Sequence, residues 1–423
     1  MKETWKTLAF CLVATLSVVA VLYQSPGTTL MKSGQEQGGN FYPDFKDPQA
    51  PKAIEVVDFD EATAAARPLK VEYKNRKWIL PSHYGYPADA QQRLAQTAAA
   101  LIELKKDAVI SDRVDDHAKY GVIDPLDQDN PSLTGRGKRV TLRGENGAVL
   151  AGFIIGKVVE GKPGFYYLRV PGQPRIYMVK TEAEASARFQ DWIETDLLKL
   201  RPADVRRIIV NSYSVNESMG AIQNVESVAM NKEGEQWKAG SGAAKQARVK
   251  ELLNALANLR IVDVQPKPMG LSQELKTPEG IRLSQESLLS LRQKGFFITP
   301  TGQLLSNEGE LIVDTSAGLQ YSLRFGEIAP GSGGLAEPAP AAGAAIAGKE
   351  QARAKAPEER RYLFITVSYS AERAAKYAGE GATLDERGKK LGEELRKRFA
   401  DWYYVISGAD FKKIRPRKNE LVQ

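Results

Sequence analysis

Cysteine and histidine are almost absent from this sequence. One cysteine, Cys11, and two histidines, His83 and His117, occur among 423 residues. A single cysteine cannot form an intramolecular disulfide, and zinc or iron–sulfur sites that need several cysteine or histidine ligands lack their donors. Each histidine stands alone in a predicted loop, where we expect a solvated side chain. The sequence therefore predicts no cofactor and no metal.

The short motifs of common enzyme classes are also missing. The sequence has no His-Glu-x-x-His, no Gly-x-Ser-x-Gly and no Gly-x4-Gly-Lys-Ser/Thr segment. Its formal charge of +7 arises from 59 Lys and Arg against 52 Asp and Glu, and these charges are dispersed along the chain. Such a dilute excess does not indicate a nucleic-acid-binding protein. We expect a protein that is not an enzyme, binds no nucleic acid and has no identifiable small-molecule substrate.

An apolar run near the N-terminus points to a membrane. Lys2 and Lys6 precede residues 8–22, which are nearly all apolar. As a helix, residues 4–23 would cover about 30 Å, the thickness of the hydrocarbon core. No clear small-x-small cleavage site precedes Tyr23, so a retained anchor over residues 1–23 is favoured over a removable signal peptide. The positive start places the N-terminus in the cytoplasm and the rest of the chain outside it.

The remainder of the chain has the composition of a folded protein. Hydrophobic residues make up 42% and charged residues 26% of the sequence, which suits globular domains. Residues 24–52 are polar and rich in proline and glycine, and they predict a flexible spacer. We therefore expect the folded part to begin near residue 53.

One pattern of strand, helix and strand occurs twice in this folded part. Each occurrence has a strand that contains a tryptophan, then an amphipathic helix, then a short apolar strand. These elements fall at residues 70–79, 92–105 and 108–110 in the first occurrence, and at 227–238, 248–259 and 261–264 in the second.

Further pairings follow in the same order along the chain. They join residues 119–125 with 294–300, 140–156 with 312–326, 165–170 with 361–367, 188–192 with 398–402, and 203–208 with 409–414. The strongest pairs Arg188-Phe-Gln-Asp-Trp192 with Arg398-Phe-Ala-Asp-Trp402. A conserved order of matches indicates duplication.

We therefore predict an α+β fold with an N-terminal membrane helix and two tandem, similar domains at residues 53–215 and 216–423. Mainly antiparallel sheets pack on helices in each domain. The second domain carries an insertion at about residues 329–357, which is so rich in Ala, Gly and Pro that we expect it to be disordered.

Five aromatic residues are candidates for a binding or a structural role. Tryptophan offers a large flat surface to a carbohydrate or a protein partner, although its recurrence in both halves favours core packing. The basic C-terminal residues 412–418 leave a lipid-surface role open, but interleaved acidic residues favour a solvated face. The five candidates are Trp78, Trp192, Trp237, Trp402 and Tyr120.

Several of these segments together resemble a known bacterial family. The resemblance is to the family called domain of unknown function 4340. It covers residues 68 to about 210 and, more weakly, the second occurrence of the pattern. It rests on Trp78-Ile-Leu-Pro, Ala88-Asp89, Tyr120-Gly-Val-Ile-Asp-Pro125, Phe165-Tyr-Tyr-Leu-Arg-Val170 and Arg175-Ile-Tyr-Met-Val179. Members are often encoded near gliding-motility-type ABC transporters and are regarded as their extracytoplasmic accessory proteins. The resemblance supplies no catalytic residues.

The resemblance implies a single-pass protein of the bacterial inner membrane with its bulk in the periplasm. The expected function is a non-catalytic accessory or scaffold subunit of an ABC-type transport or envelope complex, with a permease and related subunits as partners. The alternative is an envelope glycan-binding module or a hydrolase of envelope material.

Overall fold

The computed structural model describes residues 38–183, 185–216, 221–240, 242–277, 284–299, 301–330, 359–378 and 386–423. The predicted anchor at residues 1–23 and most of the predicted insertion, residues 331–357, lie outside these ranges. Within the ranges, no helix combines the length and the apolar character needed to cross a bilayer.

Two large sheets account for most of the described chain. The first is formed by β1 (Ala53–Asp60), β2 (Ala65–Lys74), β3 (Lys77–Leu80), β4 (Tyr86–Pro87), β5 (Ala108–Ser111), β6 (Lys138–Arg143), β7 (Val149–Val158), β8 (Phe165–Arg169) and β9 (Ile176–Lys180). The second is formed by β10 (Val205–Asn216), β11 (Ala221–Glu233), β12 (Gln236–Ala239), β13 (Asp263–Pro266), β16 (Glu310–Thr315), β17 (Leu319–Ile328), β18 (Arg360–Tyr369) and β19 (Trp402–Ser407). A small separate hairpin pairs β14 (Phe296–Ile298) with β15 (Leu304–Ser306).

Helices of different lengths connect and flank these strands. They are α1 (Gln91–Ile102), α2 (His117–Tyr120), α3 (Gln246–Ala257), α4 (Met269–Lys276), α5 (Gln285–Arg292), α6 (Ala371–Ala378), α7 (Glu386–Ala400), α8 (Gly408–Ile414) and α9 (Lys418–Leu421). Short 3-10 turns occur at Pro81–His83, Val114–Asp116, Glu145–Gly147, Phe189–Trp192 and Pro202–Asp204.

The strand order is the same in the two large sheets. The first sheet runs β4-β3-β2-β1-β6-β7-β8-β9-β5, and the second runs β12-β11-β10-β16-β17-β18-β19-β13. Apart from β4, each strand of the first sheet has a counterpart at the same place in the second. The ladders between these strands are antiparallel, so the fold is mixed α and β with mostly antiparallel sheets.

Local sequence explains the first hairpin and the first helix. Asn75 and Arg76 both adopt left-handed backbone angles, and they form a two-residue turn that pairs Lys74 with Lys77. Such turns match the twist of antiparallel strands. In α1 the apolar side chains recur at helical spacing, so that one face is buried against the sheet. The buried residues of this face are Leu94, Ala98 and Leu101.

A close backbone approach recurs in both sheets. Gly121 and Gly295 adopt left-handed backbone angles. The carbonyl oxygen of the residue before each of them packs on a glycine, which lies in β7 of the first sheet and in β17 of the second. A Cβ at Gly156 would lie 2.5 Å from the Tyr120 oxygen, and one at Gly326 would lie 2.1 Å from the Lys294 oxygen. Only glycine fits where backbones meet so closely.

A second recurring contact closes each sheet over its first long helix. In each sheet a one-turn helix lies after the last strand in sequence, which is β9 in the first sheet and β19 in the second. The carbonyl of the last residue in that turn accepts a hydrogen bond from a backbone N–H just before the long helix, which is α1 or α3. The two bonds are Asp89 N to Trp192 O and Lys245 N to Leu421 O, both 2.8 Å.

The two sheets share one large hydrophobic core. Its buried residues come from both sheets and from the helices α1, α3 and α7. At the contact between the halves, the rings of Tyr86 and Trp402 meet edge to face with centroids 5.1 Å apart. Lys199 and Glu394 form an ion pair of 2.8 Å across the same junction.

Residues 38–52 differ from the spacer predicted for residues 24–52. Phe41 packs on Phe153 and Tyr177, with ring centroids 5.4 and 4.9 Å apart. The Tyr42 hydroxyl donates to the Gly152 carbonyl at 2.8 Å, and Phe45 is buried. The aromatic side chains give this proline-containing segment enough apolar area to pack on the first sheet.

The match between Arg188–Trp192 and Arg398–Trp402 does not mark equivalent places. Residues 189–192 form a single 3-10 turn after β9, whereas residues 398–402 end α7 and begin β19. The predicted pairing of these two runs as equivalent parts of a duplicated fold is therefore wrong. The short helix α9 takes the place that corresponds to residues 189–192.

Candidate functional site

An open groove of about 650 Å³ lies between the β2–β3 hairpin, the segment before β1 and the first turns of α1. This volume falls in the range of roughly 300–1,000 Å³ that is usual for small-ligand sites. The residues that line the groove are Pro48, Gln49, Pro51, Lys52, Tyr73, Trp78, Asp89, Gln91, Gln92, Leu94 and Ala95.

Two aromatic rings form one wall of this Trp78 groove. Tyr73 and Trp78 face each other across the β2–β3 ladder, with ring centroids 5.2 Å apart. Tyr73 is 43% exposed and Trp78 is half-buried. The Lys52 Nζ lies 5.8 Å from the Tyr73 ring centroid, within the range of a cation–π contact. The tight hairpin turn therefore presents a fixed aromatic surface.

Backbone hydrogen bonds hold the opposite edge of the groove in place. The Ala88 N–H donates to the Trp78 carbonyl at 2.9 Å, and the Asp89 N–H donates to the Trp192 carbonyl at 2.8 Å. Trp192 is fully buried, and its indole N–H donates to the Ser186 carbonyl at 2.9 Å. Asp89 consequently has a fixed backbone and an exposed carboxylate.

Polar side chains converge on the groove from two segments of the chain. Gln49, Asp89, Gln91 and Gln92 are all exposed. Their side chains make no hydrogen bond or ion pair with the residues that the structure describes. An amide side chain both donates and accepts hydrogen bonds, whereas a carboxylate only accepts. These groups can therefore bind a ligand without first breaking a contact within the protein.

The corresponding tryptophan of the second sheet is closed off. Trp237 is 7% exposed, and its cross-strand neighbour is Lys232 rather than a tyrosine. The Gln246 side chain accepts from the Trp237 N–H at 2.9 Å and donates to the Trp237 carbonyl at 2.7 Å. The expectation of core packing is therefore confirmed for Trp237, and an aromatic surface is open at Trp78.

Residues 78–274 match the family model described as Domain of unknown function (DUF4340). The resemblance predicted from the sequence is thereby confirmed, and the matched region continues beyond residue 210 into the second sheet. No curated protein and no solved structure matches the chain. The DUF4340 region begins at the groove tryptophan and includes Asp89, Gln91 and Gln92, but not Lys52 or Tyr73.

The other predicted aromatic candidates lie away from the groove. Trp192 packs in the core beneath it, and Trp402 lies at the contact between the two sheets. Tyr120, also in the DUF4340 region, packs on Tyr167 with ring centroids 4.6 Å apart. Sequence reasoning missed Tyr73, although its position two residues before the hairpin turn pairs it with Trp78.

The two histidines of the DUF4340 region are buried, so the expectation of solvated side chains is wrong. His83 stacks on Phe189 at 4.4 Å, and its Nδ1 lies 3.0 Å from the Ser82 hydroxyl. The His117 Nε2 lies 2.8 Å from the Pro174 carbonyl oxygen. Burial lowers the pKa of both histidines. Among the described residues, no three His, Cys, Asp or Glu side chains gather as a possible metal site.

A buried lysine is a second group that could carry chemistry. Lys267, within the DUF4340 region, has its pKa lowered well below the usual lysine value by burial, against the opposing effect of Asp401. Its Nζ donates to the Phe399 and Trp402 carbonyls, each at 2.7 Å, and lies 4.0 Å from the Phe364 ring centroid. One of these carbonyls lies in the last turn of α7 and the other at the start of β19, so the geometry fits a structural support for the end of the helix.

Proposed function

We propose that this protein is a non-catalytic extracytoplasmic accessory or scaffold subunit of a membrane complex. The carrying observation is the Trp78 groove, in which a fixed aromatic wall faces exposed amides and one carboxylate. Such a mixture of flat apolar area and uncommitted polar groups suits binding.

The proposal includes two tandem domains of one fold, predicted at residues 53–215 and 216–423. Because β10 (Val205–Asn216) pairs with strands of the second sheet, we propose their boundary near residue 204. The equal strand orders and the recurring glycine contacts support it. Duplication would leave one copy free to keep an open groove while the other closed its tryptophan into the core.

The proposal also places the protein in the bacterial inner membrane, with residues 1–23 as a retained anchor and the bulk in the periplasm. The charged and apolar start of the sequence supports this placement. The DUF4340 resemblance supports an ABC-type permease and its related subunits as partners. Anchoring raises the local concentration of both partners, so a modest contact suffices.

Affinity purification from membranes tests the accessory role. The tagged full-length chain is extracted in mild detergent, and co-purifying proteins are identified by mass spectrometry. We expect an ABC-type permease and its ATPase in stoichiometric amounts. Recovery of the tagged protein alone, from cells that express the permease, would contradict the role.

The alternative function is a glycan-binding module or a hydrolase, and the aromatic wall of the groove favours the glycan-binding module. A hydrolase would need a pair of carboxylates on either side of the bond that breaks. Among the described residues that line the groove, Asp89 is the one carboxylate. We therefore carry forward binding rather than hydrolysis.

A further inference from the structure

We propose that the Trp78 groove binds a short, uncharged oligosaccharide. This inference rests on the binding role proposed above and names the ligand class of that site. It follows from four properties of the groove: its aromatic wall, its amide side chains, its balanced charge and its lack of a free strand edge.

The aromatic wall fits the shape of a sugar ring. A pyranose has an apolar face of C–H groups and a rim of hydroxyls, so it can lie on an aromatic ring while its rim points elsewhere. Trp78 and Tyr73 supply adjoining rings, 5.2 Å apart and inclined by 55°. Their large apolar area remains partly open to solvent, although such side chains are usually covered.

The polar groups suit hydroxyls. A sugar hydroxyl both donates and accepts a hydrogen bond, and so does each glutamine amide. Gln49, Gln91 and Gln92 line the same groove from two separate segments of the chain. Asp89 adds an acceptor beside them, on a backbone that is fixed by its bond to the Trp192 carbonyl.

Charge balance favours a neutral ligand. The lining contains one cation, Lys52, and one carboxylate, Asp89. A phosphate or carboxylate ligand is normally bound by several cationic or N–H donors, and the described groove lining does not contain such a group of donors. The volume of about 650 Å³ leaves room for a short chain of sugar rings.

The hydrogen-bonding pattern of the hairpin argues against an added peptide strand. An extended peptide usually joins a sheet at a strand with a free edge. In the first sheet, β3 already pairs with β2 on one side and with β4 on the other. The Trp78 carbonyl also accepts the Ala88 N–H.

Calorimetric titration of the detergent-solubilised full-length chain tests this assignment. The probes are maltotetraose, cellotetraose and chitotetraose, each taken to millimolar concentration. We expect at least one of them to bind. Replacing Trp78→Ala should weaken that binding by at least about tenfold, because an aromatic contact contributes of this order beyond its buried area. Gln92→Ala should weaken it several-fold.

Two further variants separate loss of the site from loss of the fold. Tyr73→Ala removes the more exposed ring of the wall and should weaken binding with little change in melting temperature. Tyr84→Asn removes a tyrosine that is 63% exposed outside the groove lining, and it should bind as the wild type does. Asparagine is chosen because residue 84 has left-handed backbone angles, which asparagine tolerates.

The inference is overturned if no probe binds, if Trp78→Ala binds as tightly as the wild type, or if Tyr84→Asn loses binding to the same extent. Membrane co-purification is measured separately on the same variants. If Trp78→Ala loses the permease and no saccharide binds, the groove is a protein contact, so this inference fails while the accessory role stands.

Discussion

Replacing Gly326 with alanine should destabilise the second sheet through a backbone collision. The new Cβ would lie 2.1 Å from the Lys294 carbonyl oxygen and 2.7 Å from the Phe296 ring. Since non-bonded contacts of Cβ atoms below 3.0 Å essentially never occur, the Lys294–Gly295 turn must move by about 0.9 Å. The turn is held by backbone bonds from Glu327 N to Lys294 O and from Asn307 N to Gly295 O, at 2.9 and 3.0 Å.

The expected cost follows from these two effects. Overpacking a well-filled site costs about 1–3 kcal/mol. Weakening two backbone hydrogen bonds adds roughly 0.5–1.5 kcal/mol for each. We therefore expect Gly326→Ala to lower the free energy of unfolding by about 2–6 kcal/mol. Gly156→Ala should show a smaller loss, because its nearest backbone oxygen lies 2.5 Å from the added Cβ.

Urea denaturation followed by circular dichroism measures this effect. Gly152→Ala is the matched control, since it lies in the same strand as Gly156 and its Cβ would meet nothing closer than 3.9 Å. The control should be neutral, or stabilising by a few tenths of a kcal/mol through the unfolded chain. The reasoning is refuted if Gly326→Ala unfolds at the same urea concentration as Gly152→Ala.

Three further predictions concern buried and paired side chains. The pKa of His83 is lowered by burial in the folded chain. As the pH falls below about 6.5, this histidine is therefore protonated in the unfolded chain before it is protonated in the folded chain, and the free energy of unfolding decreases. His83→Phe should reduce the loss of melting temperature between pH 8 and pH 5.5 in calorimetry, and an unchanged loss would contradict this. Trp192→Ala should lower the free energy of unfolding by about 3–5 kcal/mol in urea titrations, because the fully buried ring leaves a cavity, whereas a loss below about 1 kcal/mol would refute that packing role. Glu194 and Arg398 form an ion pair of 3.1 Å between the halves, with 48% and 18% of their side chains exposed. A double-mutant cycle should give a coupling below about 1 kcal/mol that shrinks with salt, and a larger coupling that resists salt would count against it.

Much of the secondary structure could be predicted because its periodicity is simple. The helix predicted for residues 92–105 is Gln91–Ile102, and the strand predicted for residues 108–110 is Ala108–Ser111. In both cases the apolar pattern has one period and ends at a polar residue. The resemblance to DUF4340 was also visible in short runs of residues and is matched over residues 78–274.

Features that depend on distant contacts could not be read from local patterns. His83 lies two residues after Pro81 in a predicted loop, yet it is buried because the ring of Phe189, over a hundred residues away in the chain, stacks on it. Residues 188–192 and 398–402 share letters, but the first follows β9 while the second opens β19. Similar short runs can fold differently because the surrounding chain decides which backbone hydrogen bonds are available.

Only part of the groove could be predicted from the sequence. Trp78 stood out as a tryptophan in a predicted strand, but its partner Tyr73 depended on recognising Asn75-Arg76 as a two-residue turn without glycine. The glutamines could not be assigned to a site, because they come from segments that approach only after α1 has packed on the sheet.

One hydrophobic cluster continues from the first sheet into the second, so the two halves cannot be separated without exposing apolar surface. A chain cut near residue 204 would bare the ring of Tyr86 on one piece and that of Trp402 on the other, together with the apolar surfaces beside them. Each piece would then expose an apolar patch prone to self-association. The two halves should therefore depend on each other for solubility. Expression of either half alone should give aggregates rather than a folded fragment.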